Sequence, residues 1–182
     1  TWTSQNKVRP GVYIRFKSGN APGLTVGERG TVAIPEPLNW GPVGQVMEIE
    51  AGGDMTPFTG YDITAPQNRF LNEIFKGTNR TSAPVKVLLY RPAGAGATQA
   101  SATIGTLTAT AKYPGSRGND ITVVVTAETD GSFTVSTVVD GGVVDQQTGI
   151  SAVSDLVSNN WVSWSGTGDV TANTGSSLSG GS

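Results

Sequence analysis

Carboxylates and indoles are the side chains of this sequence whose spacing could serve chemistry. Glu48 and Glu50 stand two apart in a β-prone stretch. That spacing puts both on one face of a strand, their Cα atoms roughly 6–7 Å apart. Such a pair is compatible with glycoside hydrolysis; the plainer reading is a solvated strand face. Trp161 and Trp164 stand three apart. Aromatic pairs can stack on sugars or bases, but positions three apart in a strand face opposite ways. One indole is therefore expected in the core and the other at the surface. The run Gly115-Ser116-Arg117-Gly118-Asn119-Asp120 is rich in glycine, yet it lacks the lysine of a phosphate loop and precedes a strand. It is expected to be a tight turn, bent at Gly115 and Gly118, with Asn119 or Asp120 bonding neighbouring amides. Asp54 and Asp62 lack the acidic neighbours that a calcium site needs.

The 182 residues include no cysteine and no histidine. Disulfides, Cys/His zinc sites, histidine-ligated haem and cysteine-held iron–sulfur clusters are thereby excluded. So are a serine–histidine–aspartate triad and a cysteine–histidine dyad. No cofactor and no catalytic residue is assigned, and the chain is expected not to be an enzyme. A net charge of −2 argues against a nucleic-acid partner held by phosphate neutralisation. No apolar run approaches the roughly 20 residues of a membrane span, and residues 1–20 lack the apolar core of a secretory signal.

The elements that must position these side chains fall into two compositions. Residues 1–92 hold 10 basic and 7 acidic side chains (10 − 7 = +3), whereas residues 93–182 hold 2 and 7 (2 − 7 = −5). Nine of the ten prolines lie at or before Pro92. The joint, Arg91-Pro92-Ala93-Gly94-Ala95-Gly96-Ala97, reads as a small-residue linker. Three parts are expected: an extended arm and first strand over 1–26, a partial α/β layer over 27–92, and an antiparallel β module over 93–182.

In the layer, Gly30–Ile34, Val43–Glu50 and Pro84–Tyr90 read as strands. Thr64 is placed to cap a helix with Pro66 in its first turn, Phe70, Leu71, Ile74 and Phe75 on its apolar face, and Gly77 at its end. In the β module, Leu107, Ala109 and Ala111 alternate with threonines, and Ile121–Ala127 and Phe133–Val139 flank an Asp130-Gly131 turn. Asp140-Gly141-Gly142 makes the next turn before Val143 and Val144. Val153, Leu156 and Val157 predict a short helix from Ser151; Asn160–Trp164 reads as a strand. The result is a sandwich or barrel, and the fold class as a whole is mixed α+β. Gly166–Ser182, with only Val170, Ala172 and Leu178 apolar, is expected to be a flexible Gly/Ser loop, and the chain to be the front part of a longer protein.

The N-terminal segment is the most informative feature without chemistry. Val12-Tyr13-Ile14-Arg15-Phe16 is β-prone and follows a polar, basic stretch. Such an arm can add a strand to another subunit's sheet; the alternative is an edge strand of its own domain.

Four stretches go further together than apart: Gln5-Asn6-Lys7-Val8-Arg9-Pro10-Gly11-Val12-Tyr13-Ile14; Arg29–Pro35 followed by Asn39-Trp40-Gly41-Pro42; Lys86–Arg91; and Ala111–Ile121. In this order and spacing they resemble the front part of a contractile tail sheath protein, of the phage, prophage and tailocin type of Gram-positive bacteria. The resemblance spans most of residues 5–165, and family members are considerably longer. It implies a structural subunit that stacks helically around a tail tube and contracts to drive the tube through a target envelope. It implies further copies of the chain, a tube protein, and baseplate and terminator proteins as partners, and a place in the virion tail after assembly in the host cytoplasm. Carried over, the linking arm is Asn6, Lys7, Val8, Arg9, Val12, Tyr13, Ile14, Arg15, Phe16 and Lys17. The alternative is a surface-binding β-sandwich module of carbohydrate-binding or adhesin type.

Overall fold

In a computed structural model of the chain, residues 30–78 and 82–182 are described. The expected arm at Asn6–Lys17 lies outside the described residues.

The first body is a small layer. Alternation along β2 (Val46–Glu50) buries Met47 and Ile49 and exposes Val46, Glu48 and Glu50. β3 (Lys86–Tyr90) does the same with Val87 and Leu89. β1 (Thr31–Pro35) lies parallel to β3, and β2 antiparallel to it, giving the order β1-β3-β2. The proline that ends β1 is tolerated because β1 is an edge strand. α1 (Thr56–Thr59) and α2 (Arg69–Lys76) supply the second layer. Leu71 is sealed against Met47, Ile49, Met55, Val87 and Leu89, with Phe70, Ile74 and Phe75 packed at the margin.

Two details differ from expectation. Thr64 does not cap the helix: its amide and hydroxyl donate to Asp62, whose carboxyl these bonds hold below the usual range. A single 3-10 turn at Pro66–Asn68 leads into α2 instead. The second strand also starts three residues late. Gly44 takes φ 70° and donates its amide to the Arg91 carbonyl at 2.9 Å, which keeps the chain out of strand conformation up to Val46.

The second body is an antiparallel sandwich. One sheet pairs β4 (Ser101–Ile104), β5 (Leu107–Ala111) and β9 (Val162–Gly166) in that order. The other has the order β10-β6-β7-β8, from β6 (Ile121–Ala127), β7 (Phe133–Val139), β8 (Gly142–Ile150) and β10 (Asn173–Ser177). Inward residues of both sheets, Leu107, Ala109 and Ala111 against Ile121, Val123, Val125 and Val135, form one core. Asp140 and Gly141, at φ 53° and 77°, make the two-residue β7–β8 turn that needs positive φ at both positions.

The helix expected from Ser151 does not form. Asp155 draws the amides of Ser151 and Ala152 onto its carboxylate at 3.0 and 2.8 Å, and Leu156 returns to an extended backbone. One 3-10 turn at Val153–Asp155 is all that remains, because three spaced apolar residues do not offset the cost of nucleating a helix.

The expected loop at 166–182 is corrected most strongly. Its β10 pairs with β6 of one sheet, and Ser179 then bridges Ser101 of the other. Leu178, with 2% of its surface exposed, plugs the core between them. Few apolar side chains are needed because the strand's amides and carbonyls find partners in sheets already formed. Replacing Leu178 with alanine should therefore cost about 2–4 kcal/mol of stability in urea unfolding; a loss below about 0.5 kcal/mol would mean that the tail is not part of the core.

Candidate functional site

The site that the fold builds is the joint between layer and sandwich. Its centre is Trp40, which leaves the layer just after β1 and is buried in the sandwich core. Its ring lies 5.1 Å from that of Trp161, and Tyr113 meets it edge-on at 5.4 Å. Such pairs add about 0.5–1.5 kcal/mol beyond area burial.

Arg117 closes one side. Its glycine-rich run forms a 3-10 turn over Ser116–Asp120, which points the side chain back at the layer. Nε donates to the Gly60 carbonyl at 3.0 Å. Nη1 donates to Asp120 at 3.0 Å and to Asp140 at 2.8 Å, and Nη2 to the other Asp140 oxygen. The guanidinium carbon sits 4.2 Å from the centre of the Tyr61 ring, whose hydroxyl accepts from Asn39 at 2.9 Å. Gly60 and Tyr61 belong to the layer; Asp120 and Asp140 belong to the sandwich. Burial would push the guanidinium down, but its hydrogen bonds to Asp140 and Asp120 outweigh it and its pKa is raised. Asp140 in turn is held below the usual carboxylate range by its hydrogen bond from Arg117.

Arg91 lies on the other side. It is buried, and donates through Nη1 to the Gly41 carbonyl at 2.7 Å and through Nη2 to the Pro114 carbonyl at 2.8 Å. Burial lowers its pKa. Between the arginines, Gly115 at φ 129° lets the turn approach so closely that a Cβ there would stand 2.1 Å from the Asn39 carbonyl oxygen. Gly118 has no positive φ; it is small because Ala100 and Ala111 pack against it. Asn119 bonds not a neighbouring amide but both backbone groups of Gly181, 62 residues away.

The residues picked out by spacing are placed elsewhere. Glu48 and Glu50 share the exposed face of β2, where the Lys86 ammonium donates to Glu48 at 2.8 Å. Trp161 is buried in the joint, while Trp164 is half-buried and donates its indole N–H to the Val157 carbonyl at 3.1 Å. Among the described residues, no three acidic side chains are grouped to hold a metal ion. Arg91, Arg117 and Trp40 were not among the candidates. The signal for them was faint: a tryptophan in a loop of prolines and glycines, and two arginines in a chain with only 14% charged residues.

A β-sandwich locked onto a strand–helix layer by a desolvated joint defines a structural building block. Both of its bodies are found in known proteins. Residues 94–182 match the phage tail sheath protein beta-sandwich domain, and residues 29–91 match the N-terminal region of tail sheath protein Gp18 domain III. The chain belongs to the phage tail sheath family. It is 35% identical over 169 residues to the protein YqbK of Bacillus subtilis (strain 168), covering 92% of this chain and 34% of that one. To the phage-like element PBSX protein XkdK of the same strain it is 33% identical over 173 residues, covering 93% and 35%. The crystal structure of a sheath tail protein from Desulfitobacterium hafniense superposes with a TM-score of 0.77 at 45% identity, over 94% of this chain and 39% of that one. One from Listeria innocua gives 0.69 at 31%, over 85% and 34%. The chain thus spans about a third of the length of these relatives.

The joint makes a prediction about charge. Asparagine tolerates the left-handed backbone of position 140 as aspartate does, so Asp140→Asn removes the charge and keeps the turn. With Asp140 65% exposed, solvent screening limits the expected loss to about 1 kcal/mol at pH 7. Arg117→Met, which leaves the Gly60 carbonyl without its donor, should cost more, about 2–3 kcal/mol. Because the folded state depresses the Asp140 pKa, its contribution is present above the ordinary carboxylate range and is lost as pH falls below about 4. Urea unfolding from pH 7 to pH 3 should therefore show a smaller acid loss for Asp140→Asn than for the parent; equal losses would remove this ion pair from the account.

Proposed function

We propose that this chain is part of a sheath subunit that polymerises helically around a tail tube and contracts to drive the tube through a target envelope. The observation that carries the reading is that both bodies match sheath domains, over residues 29–91 and 94–182. In this reading the subunit is not an enzyme and uses no cofactor. Its free energy is stored in a metastable assembly and released by rearranged interfaces. Its partners are further copies of itself, the tube protein, and baseplate and terminator proteins, with neither nucleic acid nor membrane insertion involved. Assembly takes place in the host cytoplasm and the product resides in the virion tail. The division into an arm over 1–26, a layer over 27–92 and a sandwich over 93–182 belongs to the same proposal.

The layer supports a linking role for the arm. Both β1 and β2 pair only with β3 among the described residues, so each leaves one backbone edge for strand addition. Head-to-tail links of this kind, when they do not close, build helical arrays. The residues assigned to the link are Asn6 to Arg9 and Val12 to Lys17. A glycan-binding reading fares worse, because Trp161 is covered by Trp40.

A full-length sheath polypeptide carrying this chain should form tubes or rings in negative-stain micrographs, and persistent monomers at high concentration would sink the proposal. Deleting residues 1–17 should leave a folded subunit that no longer makes extended polymers; normal polymers from that variant would take the arm out of the link.

A further inference from the structure

The dipeptide Asp-Gly occurs twice in the chain, at Asp130-Gly131 and Asp140-Gly141, and Asn-Gly does not occur. An aspartyl carboxyl followed by glycine can react with its own backbone, because no side chain shields the glycine nitrogen. That nitrogen bonds to Cγ, its proton and the carboxyl OH leave together as water, and a five-membered succinimide forms. Water then reopens the ring. Attack at the Cγ carbonyl restores aspartate, whereas attack at the α-carbonyl leaves isoaspartate, whose backbone runs through Cβ and Cγ. Water is the only co-reactant, and the mass is unchanged.

Both dipeptides sit in exposed hairpin turns of one sheet, so neither sequence nor exposure separates them. Their hydrogen bonds do. Asp130 lies in the turn between β6 and β7. Its Oδ1 accepts from the amide and the hydroxyl of Ser132 at 3.0 and 2.7 Å, and no hydrogen bond among the described residues reaches its Oδ2. Both bonds are local ones of a turn, and they hold the carboxyl toward the segment that carries the attacking nitrogen. The Gly131 amide donates to the Glu128 carbonyl at 3.2 Å, the long end of the hydrogen-bond range. Around Gly131, at φ 86°, the space is open: a Cβ there would meet nothing within 4 Å. The Asp140 carboxyl is engaged elsewhere. Both of its oxygens accept from Arg117, 23 residues away, and the arginine is itself fixed by the Gly60 carbonyl. Ring closure at Asp140 must first break two charge-assisted bonds and strip a buried guanidinium of a partner.

We propose that Asp130-Gly131 is a site of spontaneous isomerisation to isoaspartate, and that Arg117 shields Asp140-Gly141 from the same reaction. A lengthened backbone at the tip of β6 and β7 stays within a loop. At Asp140 it would carry the carboxylate out of the joint. The inference rests on the two turns and is independent of the sheath reading.

The test follows the 182-residue chain, kept folded or held in urea, in mildly acid buffer. Samples are then unfolded and digested with an endoprotease that cuts before aspartate and not before isoaspartate. In the folded chain the cut before Asp130 should be lost about tenfold faster, or more, than the cut before Asp140. In urea the two losses should converge. Equal losses in the folded chain, or no loss at Asp130 while the urea sample loses its cut, overturn the proposal. So does a difference that persists in urea, because it would belong to the flanking sequence and not to the fold. Arg117→Lys, in samples that keep the near-ultraviolet circular dichroism of the parent, should speed the loss before Asp140 and leave that before Asp130 unchanged. An unchanged rate at Asp140 removes the shielding from Arg117; should the variant not fold, the parent chain decides without it.

Discussion

Everything in this structure depends on a tryptophan of one body completing the core of the other. Trp40 lies in the chain of the layer but packs with Trp161, Tyr113 and the valines of the sandwich. Burying an indole is worth several times the thermal energy, so the core of the sandwich is not finished without the layer. Once Trp40 is seated, the backbone on either side of it is desolvated too. The Asn39 carbonyl then takes the Arg117 amide at 3.3 Å, and the Gly41 carbonyl takes Arg91. The two arginines follow from that burial. Arg117 reaches across the boundary to the Gly60 carbonyl, and Arg91 joins the Gly41 carbonyl of its own body to the Pro114 carbonyl of the other, a task suited to a long side chain with several donors.

The sandwich solves a related problem at its far end. Its two sheets would leave open edges at β4 and β6, and open edges invite unwanted pairing. The tail covers both, pairing with β6 and then bridging β4, while Leu178 fills the space between. The same tail comes back to the joint: Thr98 and Ser182 exchange backbone hydrogen bonds at 2.9 and 3.2 Å, and Asn119 holds Gly181. The beginning and the end of the sandwich therefore meet beside the turn that carries Arg117. A β module held by a linker, one buried aromatic and two arginines that bond across the boundary is fixed in orientation, unlike one that hangs from a linker alone.

What could be read in the sequence was whatever depends on near neighbours. Ile121–Ala127 and Phe133–Val139 are strands to the residue, because β-branched runs between Asp-Gly turns leave little else to adopt. Leu107, Ala109 and Ala111 are buried as their alternation requires. The failures share one cause. Asn173–Ser177 has no apolar pattern and becomes a strand only because β6 stands waiting for it. The stretch from Ser151 has a helical pattern and is bent out of it by the Asp155 carboxylate. Asp140, placed for its turn, was legible as hairpin chemistry, but its role as the partner of Arg117, 23 residues away, was not. The joint is made of long-range contacts, and composition marked only the boundary at Pro92, not the tryptophan that crosses it.

The two arginines also show two ways of burying a cation at one joint. At Arg117 the cost of desolvating a cation is offset by two carboxylates and the face of Tyr61, and the pKa rises. At Arg91 burial acts alone, and the pKa falls. The opposite shifts of one side-chain type, across one joint, follow from the carboxylates that face Arg117 and the carbonyl oxygens that face Arg91. An apolar side chain in place of Arg91 would leave the Gly41 and Pro114 carbonyls without their donor, so the joint keeps a cation here for its hydrogen bonds and not for an ion pair.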